Sequence, residues 1–407
     1  MQPEHDAAIA GGASDLYWDP FDTAIDTDPY ECWRRLRDDA PVYRNERFDF
    51  YALSRFADVE AASRDARSFS SAHGTVLELM SPTPGLSGML IFMDPPEHTR
   101  MRSLVSRAFT PRRVTRLEDR IRELCNRFLD AALEQPSFDF VQDFAARLPA
   151  MVIASLFGVP EPDQEGLRKL IDTVFHIEEG VGMVNDTSLT AGIEIHGYIS
   201  ELLRERKRNP RDDMLTDLTE AEITEPDGTV RRLTTAEAAD FAFLLISAGT
   251  ETVARLLGWA AVLLDRHADQ REVLIADPGL IGNAVEELLR YEAPSPVQGR
   301  WLTRDVELHG QVIPAGSKIL LLTGSAGRDE REYPDADVFD VRRKFDHHVS
   351  FGHGIHFCIG AALARLEGRV ALEETLRRMP SWTVDLDHAV RLHTSTVRGW
   401  VNVPVGV

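Results

Sequence analysis

Cysteine is scarce in this chain of 407 residues, which has three, Cys32, Cys125 and Cys358, without the regular spacing of a disulfide framework. The pattern favours a reducing compartment. The first twenty residues also lack the basic and apolar regions of a secretory signal peptide. We therefore expect a cytoplasmic protein.

Positive charge is also in short supply, with 45 Lys and Arg against 66 Asp and Glu and a net charge of −21. Binding to nucleic acid or to an anionic membrane needs a basic face, so neither is expected. No run approaches the roughly 18 uninterrupted apolar residues of a membrane span. The chain is expected to have no membrane span and to be a monomer. Residues 98–113 are the exception, with five arginines and no acid.

The hydrophobic pattern predicts a mainly helical (mainly α, α+β) fold with small β-sheets. We expect a flexible tail at residues 1–20 and a single domain over residues 21–407, since no internal repeat or low-complexity linker divides the chain. The expected elements are a helix at 28–37, strands at 42–44 and 50–52, a long apolar loop at 71–91, helices for some two hundred residues from Asp94, and strands within 304–322.

One predicted helix is long and apolar. Thr234 and Glu237 form a capping-box signature at its start, and the helix continues to about His267, which gives a length of roughly 50 Å. Such a helix is expected to cross the core. Within it, glycine at 249 costs about 1 kcal/mol relative to alanine, so something is expected to use the space beside Thr252.

Cys358 lies in the most informative segment, Phe351 to Gly360, directly before an amphipathic helix. Gly354 and Gly360 permit turns that aim backbone N–H groups at the sulfur, and a helix start favours an anion. The pattern therefore indicates a stabilised thiolate. A thiolate of this kind either attacks a substrate or binds a soft metal, including haem iron.

The pattern Phe-x-x-Gly-x-His-x-Cys-x-Gly resembles the haem-binding signature of the cytochrome P-450 monooxygenases, and the resemblance covers the chain from about residue 20 onward. It implies the cytochrome P-450 fold and haem b (iron protoporphyrin IX) with Cys358 as the iron ligand. Phe351 and Gly360 would surround the ligand, and Ala248 and Gly249 would lie over the other face of the haem.

The same resemblance assigns roles to further residues. Glu251 and Thr252 would relay protons to the dioxygen being reduced, although Thr252 also has a structural alternative, a bond back to the carbonyl of Ala248. Glu287 and Arg290 match a motif that braces the core. Haem propionate partners are expected at His98, Arg102, Arg300 and His356. Gly327 stands where the family often has Asn, which is expected to loosen that turn.

Redox partners are also implied by the resemblance. A ferredoxin-type partner with an NAD(P)H-dependent reductase would supply electrons, docking on the remaining arginines of the basic segment. These docking residues are Arg100, Arg107, Arg112 and Arg113. An anionic partner would explain why a basic patch occurs on an acidic protein.

The segments expected to line the substrate pocket contain no lysine or arginine. Burying a carboxylate without a cation is costly, so the sequence favours an apolar small molecule as the substrate alongside O2. The expected contacts are Leu77, Leu79, Met80, Met89, Phe241, Leu244, Leu245, Val297, Gln298 and Thr396.

Three other functions fit parts of the pattern. A non-catalytic haem-thiolate sensor or carrier would need Cys358 but not Glu251 and Thr252, and a peroxide-driven peroxygenase would replace that acid and alcohol. A zinc hydrolase would use a different set of ligands. Its candidate ligands are His347, His348, His353, His356 and Cys358.

Overall fold

The computed structural model describes residues 16–84, 88–106, 109, 111–178, 182 and 184–407, with backbone alone at 105, 106, 111 and 112. Within them the α-helices are α1 (Thr23–Thr27), α2 (Tyr30–Asp39), α3 (Phe56–Arg64), α4 (Glu97–Ser106), α5 (Pro111–Thr115), α6 (Glu118–Ala132), α7 (Arg147–Leu156), α8 (Glu161–Val174), α9 (Asp186–Arg208), α10 (Met214–Glu220), α11 (Thr235–Arg266), α12 (Ala268–Ala276), α13 (Ile281–Tyr291), α14 (Thr323–Ala326) and α15 (Ala361–Arg378). A π-helical segment, Phe140–Ala145, precedes α7.

The strands are short. They are β1 (Val42–Asn45), β2 (Phe50–Leu53), β3 (Phe69–Ser70), β4 (Ser137–Asp139), β5 (Glu222–Thr224), β6 (Val230–Arg232), β7 (Gln298–Leu302), β8 (Val306–Leu308), β9 (Gln311–Ile313), β10 (Lys318–Leu321), β11 (Thr383–Val384), β12 (Val390–His393), β13 (Arg398–Asn402) and β14 (Pro404–Gly406). The largest sheet has the order β1-β2-β10-β7-β3, with β2 and β10 parallel and Lys318 opposite Phe50. The predicted mainly helical α+β fold with small sheets is confirmed.

Helix α11 organises the core. Thr234 and Glu237 form the predicted capping box, with each side chain accepting from the backbone N–H of the other at 3.2 and 2.8 Å. The helix packs against α7, α9 and α15, and most of its residues are buried. By length and composition it could cross a membrane, but 72% of its most apolar window is buried inside the protein. This is the pattern of a core helix.

The structure differs from the expected element order in three places. Trp18 and Asp19 are buried, so packing begins before residue 21, whereas residues 1–15 of the predicted tail lie outside the described residues. The helical stretch after Asp94 is interrupted by β4 and by the β5–β6 hairpin. Segment 71–91 contains two 3₁₀ turns, Leu77–Leu79 and Leu90–Phe92, with residues 85–87 outside the described part.

Candidate haem-thiolate site

A glycine-rich turn positions Cys358. The N–H of Cys358 donates to the carbonyl of Phe351 at 2.8 Å, and the N–H of Gly360 donates to the sulfur just before α15 begins. Gly354 has φ of +69°, and a Cβ there would lie 2.5 Å from the carbonyl oxygen of Ser63. The turn therefore needs glycine for both its backbone angle and its approach to α3.

Burial raises the pKa of the Cys358 thiol above its ordinary value, against the opposing effects of the Gly360 N–H, Arg102 and Arg365. The start of α15 therefore does not stabilise the thiolate by itself, contrary to the expectation from the sequence. A metal cation at the sulfur would reverse the balance, since a coordinating thiol is deprotonated. Cys358 is partly accessible although protein surrounds it, as expected for a side chain facing an enclosed space.

Four of the predicted propionate partners gather beside this turn. The rings of His98 and His356 are 4.4 Å apart, centroid to centroid, and Nη2 of Arg102 donates to the carbonyl of Phe357 at 2.5 Å. Arg300 is buried, and its charge acts on His356 together with that of Arg102. Three distant segments thus meet at one place.

This cluster is positively charged and incompletely paired. Within the described part of the chain, both ring nitrogens of His98 and Nε2 of His356 are buried without a hydrogen-bond partner. Burial, then the charge of Arg102, lowers the pKa of His98 to about 4, and burial with Arg300, His98 and Arg102 lowers that of His356 to about 2. Each unpaired buried group costs about 1–3 kcal/mol, and an anionic ligand would remove that cost.

One stripe of α11 is open although the helix is otherwise mostly buried. Ala248 is exposed, and Leu244 and Thr252, one turn on either side, are half-buried. Residues four apart share a helix face, so the three line one accessible surface. Oγ1 of Thr252 donates to the carbonyl of Ala248 at 3.1 Å, which is the structural alternative considered for this residue.

Gly249 does not open space toward this stripe. A Cβ at Gly249 would lie 3.4 Å from Cδ1 of Ile153 on α7. The room left by the missing side chain is therefore taken by a neighbouring helix, and Gly249 serves close packing of α11 against α7.

Glu251 is held in an ion pair that the sequence analysis did not anticipate. Its Oε1 accepts from Nε and Nη2 of Arg255 at 2.8 and 2.5 Å, and Arg255 also donates to the carbonyl of Trp400. The charge of Glu251 also acts on Asp172 of α8. Glu251 therefore does not stand free beside Thr252. The Glu-x-x-x-Arg spacing was a signal for this pair.

Glu287 and Arg290 lie in the core. Both side chains are 0% exposed, and they share two hydrogen bonds of 2.7 and 2.8 Å. Arg290 also donates to the carbonyls of Gly327 and Ala336. The geometry is that of a buried brace.

Two of the five arginines in the basic segment form ion pairs with acids. Arg100 pairs with Glu225 at 3.4 Å, and Arg113 pairs with Asp217. These ion pairs give the segment a structural reason for its charge and correct the expectation that Arg100 and Arg113 present free positive charge. Arg107 lies outside the described residues, and only the backbone of Arg112 is described.

The predicted substrate residues fall into different surroundings. Leu77, Met80 and Val297 pack in the cluster that contains Trp18 and Trp33, whereas Phe241 and Leu245 belong to the main core. Leu79, Met89 and Gln298 are half-buried, as is Thr396, whose hydroxyl donates to the carbonyl of Val297 at 2.8 Å. Substrate contact by any of these residues stays a prediction.

The side chains of the zinc alternative are divided among several partners. His347 bonds Glu60 at 2.6 Å, His348 bonds Glu286 at 3.2 Å, and His356 faces His98. A single site formed from all of them with Cys358 is therefore wrong.

Comparison with known proteins agrees with this geometry. The cytochrome P-450 family model matches residues 50–277 and 279–396. The chain is 43% identical to putative cytochrome P-450 123 of Mycobacterium tuberculosis, over 97% of this chain and 98% of the relative. It is 36% identical to vitamin D(3) 25-hydroxylase of Pseudonocardia autotrophica, over 95% and 96%.

A solved structure gives the same result for the fold. A mutant of P-450 EryK in complex with erythromycin B superposes with a TM-score of 0.85 at 34% identity, covering 94% of this chain and 96% of that one. This chain belongs to the cytochrome P-450 family, whose members are haem-thiolate enzymes and generally monooxygenases. The predicted enzyme class is confirmed, and the zinc hydrolase and the non-catalytic carrier are set aside.

Proposed function

We propose that this monooxygenase hydroxylates a C–H bond of a mainly apolar small molecule with O2, using electrons from NAD(P)H that pass through a ferredoxin reductase and a ferredoxin. We expect haem b as the cofactor, Cys358 as its ligand, and a monomer in the cytoplasm. The observation that carries the proposal is the unpaired His98–His356 cluster beside the Cys358 turn.

The side chains around Cys358 fit a haem. A haem brings two propionate carboxylates, and His98, Arg102, Arg300 and His356 offer donors and positive charge in one cluster. Buried polar atoms without partners are uncommon in folded proteins and mark places where a ligand or ion belongs. Pairing with carboxylates would satisfy the unpaired nitrogens of His98 and His356 and favour their protonated forms.

When bound, a haem would supply the iron chemistry that reduces and cleaves dioxygen, and a thiolate ligand would favour the cleavage. Cys358 contributes that thiolate. The Gly360 N–H donates to its sulfur, and the charges of Arg102 and Arg365 lower its pKa. These groups would set how much electron density the sulfur releases, because hydrogen bonds to a ligating sulfur tune its donation.

Thr252 would present its hydroxyl to the reacting oxygen. It lies on the open stripe with Leu244 and Ala248, and its hydrogen bond to the Ala248 carbonyl fixes its oxygen in one orientation. In that orientation the oxygen can accept a proton donor from the open side. Rotation of the hydroxyl would then pass its own proton forward.

Glu251 is anchored through Oε1, which accepts both hydrogen bonds from Arg255, so Oε2 is the oxygen that would pass protons to Thr252. Asp172 is the candidate source behind it. Burial, with the charge of Glu251 also contributing, raises the pKa of Asp172 to about 6 against the opposing charges of Arg168 and Arg255. Its side chain is still 41% accessible. Nη1 of Arg168 donates to Oδ2 of Asp172 at 2.5 Å, so Asp172 would collect protons from solvent through its accessible side.

An apolar substrate is supported by the open stripe of α11 and by the hydrogen bonding of Glu78, which lies between the expected substrate contacts Leu77 and Leu79. Glu78 accepts a hydrogen bond from Ser395 at 2.6 Å, so its charge is partly satisfied within the protein. Apolar area, at about 25 cal/mol per Å², would then drive binding. The named substrate of one relative, vitamin D(3), is a large and mainly apolar molecule.

The ligand assignment is tested by Cys358→Ser. We expect this variant to lose haem or to lose the strongly red-shifted Soret band of the reduced carbon-monoxide complex, because a neutral hydroxyl is a poor axial donor. Cys125→Ser is the matched control, since Cys125 is buried in α6, and it should keep the band. An unchanged band in Cys358→Ser would move the ligand elsewhere.

The substrate class is tested by matched pairs of a neutral ester or alcohol and its parent acid, titrated by the haem spin shift at neutral pH. We expect the neutral member to bind more tightly. Clearly tighter binding of a short-chain acid would show a cationic anchor and contradict the proposal.

The electron route is tested by the double variant R112E/R113E. We expect slower reduction by a ferredoxin with unchanged substrate affinity, and higher ionic strength should reproduce part of the loss. Equal reduction rates would place the docking face on another part of the surface.

A further inference from the structure

Three metal-ligating side chains meet away from the His98–His356 cluster. Glu60 lies on α3, and His347 and His353 lie on the segment that leads to Cys358. Nε2 of His347 is 2.6 Å and Nδ1 of His353 is 3.8 Å from Oε1 of Glu60. One donor atom of each of the three lies within 4.8 Å of the others.

This spacing is close to that of a bound transition metal. Zinc binds imidazole nitrogen and carboxylate oxygen at about 2.0–2.2 Å in tetrahedral geometry, which separates neighbouring ligand atoms by roughly 3.4 Å. The two separations from Oε1 of Glu60, 2.6 Å to His347 and 3.8 Å to His353, each differ from that value by less than about 1 Å. Two imidazoles and one carboxylate also form a donor set that zinc-type ions prefer.

The surroundings leave room for a fourth ligand. All three side chains are half-buried, and a cavity of about 540 Å³ is lined by His347 and His353, with Asp346, Gly354 and Phe357. A water molecule or a small anion could therefore reach the open position.

We propose that Glu60, His347 and His353 bind one divalent transition-metal ion of the zinc type, with the fourth position open to this cavity. The ion would tie α3 to the segment that carries Cys358. Gly354 already packs against α3, since a Cβ there would lie 2.5 Å from the carbonyl of Ser63. Occupancy of the site would thus restrain the ligand turn from outside the haem pocket.

Two neighbouring features bear on binding. Arg64 donates to the same Oε1 of Glu60 at 2.9 Å, but its side chain is 57% exposed and free to move aside. The ring of Phe56 lies 5.4 Å from that of His347 and helps to orient it.

The experiment uses untagged, haem-loaded, chelator-treated protein titrated with ZnCl2 by calorimetry, with metal content measured after desalting. We expect one zinc per chain in addition to the haem iron and no comparable binding of Mg²⁺, which prefers oxygen ligands. Glu60→Gln and His347→Ala should each weaken zinc binding by at least about tenfold, because each removes one of three ligands.

His309→Ala is the matched control. His309 pairs with Asp58 of the same helix at 2.8 Å, a histidine–carboxylate pair to which no second histidine contributes, so its loss should leave zinc binding unchanged. Each variant is accepted only if it keeps the red-shifted carbon-monoxide band. Hydrogen exchange provides a second measurement, since zinc should slow exchange over residues 347–358 in wild type and not in Glu60→Gln.

Three outcomes would overturn the proposal. Wild-type protein could take up no zinc beyond the level seen with Mg²⁺. Glu60→Gln and His347→Ala could bind zinc as tightly as wild type does. His309→Ala could weaken binding as much as Glu60→Gln does, which would show scattered surface binding.

Discussion

Glu367 is a buried carboxyl whose charged form the core disfavours. It lies on α15, nine residues after Cys358, with 1% of its surface exposed, and its Oε2 has no hydrogen-bond partner. Burial alone raises its pKa to about 8. In the unfolded chain the same carboxyl would ionise near its ordinary value of about 4.3.

The sign of the pH effect follows from the bound proton. Between about pH 4.5 and pH 8 the folded state keeps a proton that the unfolded state releases, so the free energy of unfolding falls as pH rises. One pKa unit corresponds to about 1.36 kcal/mol. Relative to low pH, where the carboxyl is protonated in both states, Glu367 therefore lowers the free energy of unfolding by about 1 kcal/mol at pH 5, about 4 kcal/mol at pH 7 and about 5 kcal/mol above pH 9.

The perturbation is Glu367→Gln, which keeps the shape and removes the titration. We expect the variant to lose less stability than wild type does between pH 5.5 and 8.5, by about 2–4 kcal/mol over that window. The assay is urea unfolding of the haem-loaded protein, followed by far-ultraviolet circular dichroism at several pH values. Comparing the two proteins at each pH removes the contributions that they share.

Glu374→Gln is the matched control on the same helix. Glu374 is also buried, but hydrogen bonds from Arg377 and Arg122 outweigh burial and lower its pKa. Its stabilising effect is complete above its ordinary pKa and is lost only as pH falls below it. This variant should lower stability by a constant amount between pH 5.5 and 8.5. Equal pH slopes in wild type and Glu367→Gln would refute the reasoning.

Three further predictions concern the site and its support. His98→Phe should raise the free energy of unfolding of the haem-free protein by about 1–3 kcal/mol, because it removes unpaired buried nitrogens. The same variant should lose haem faster than wild type does, and slower haem loss would contradict the propionate role. Glu287→Gln should lower the free energy of unfolding by about 3–5 kcal/mol, because it leaves Arg290 buried without its carboxylate, and a loss below about 1 kcal/mol in a denaturation series would contradict this. Thr252→Ala should consume NADH while forming less product per NADH, and an unchanged ratio would leave Thr252 with its structural bond to Ala248.

Sequence signals predicted those features that depend on residues close together along the chain. The capping box of Thr234 and Glu237 predicted the start of α11, and glycine at 354 and 360 predicted the turn around Cys358. Both signals are short-range, because they concern backbone donors and angles within a few residues.

The β5–β6 hairpin shows a local signal that was missed. Glu225-Pro226-Asp227-Gly228 lies between the two strands, and Gly228 has φ of +84°. Proline, aspartate and glycine in this order are characteristic turn residues. The turn chemistry was therefore present in the sequence, within the stretch after Asp94 that was expected to be helical.

Long-range partners explain why the sequence did not reveal the ion pairs of the basic segment. Arg100 and Arg113 were assigned to a docking face because no acid occurs nearby in sequence. Their partners, Glu225 and Asp217, are more than one hundred residues away along the chain. Ion pairs at such separations depend on the tertiary fold, which composition within a window does not reveal.

Gly327 shows how the same limit affects a single residue. Glycine in place of the asparagine that is frequent in the family was expected to loosen the turn. In the structure a Cβ at this position would lie 2.3 Å from the carbonyl oxygen of Arg290, and Nη1 of Arg290 donates to the carbonyl of Gly327. The glycine therefore allows the backbone to approach the buried brace, and a larger residue would require a different path for this turn.

Glu251 depends both on short-range sequence signals and on long-range contacts in the fold. Its place beside Thr252 was visible in the sequence, and so was the spacing to Arg255 one turn later. Because α11 is apolar on most of its surface, that spacing did not reveal that the ion pair would be buried. The tertiary fold fixes the position of the pair, because Arg255 also donates to the carbonyl of Trp400 on β13. Both hydrogen bonds from Arg255 go to Oε1, so Arg255 sets the direction in which Oε2 can relay a proton. Proton supply in this enzyme should therefore depend on the packing of β13 against α11 as well as on the acid itself.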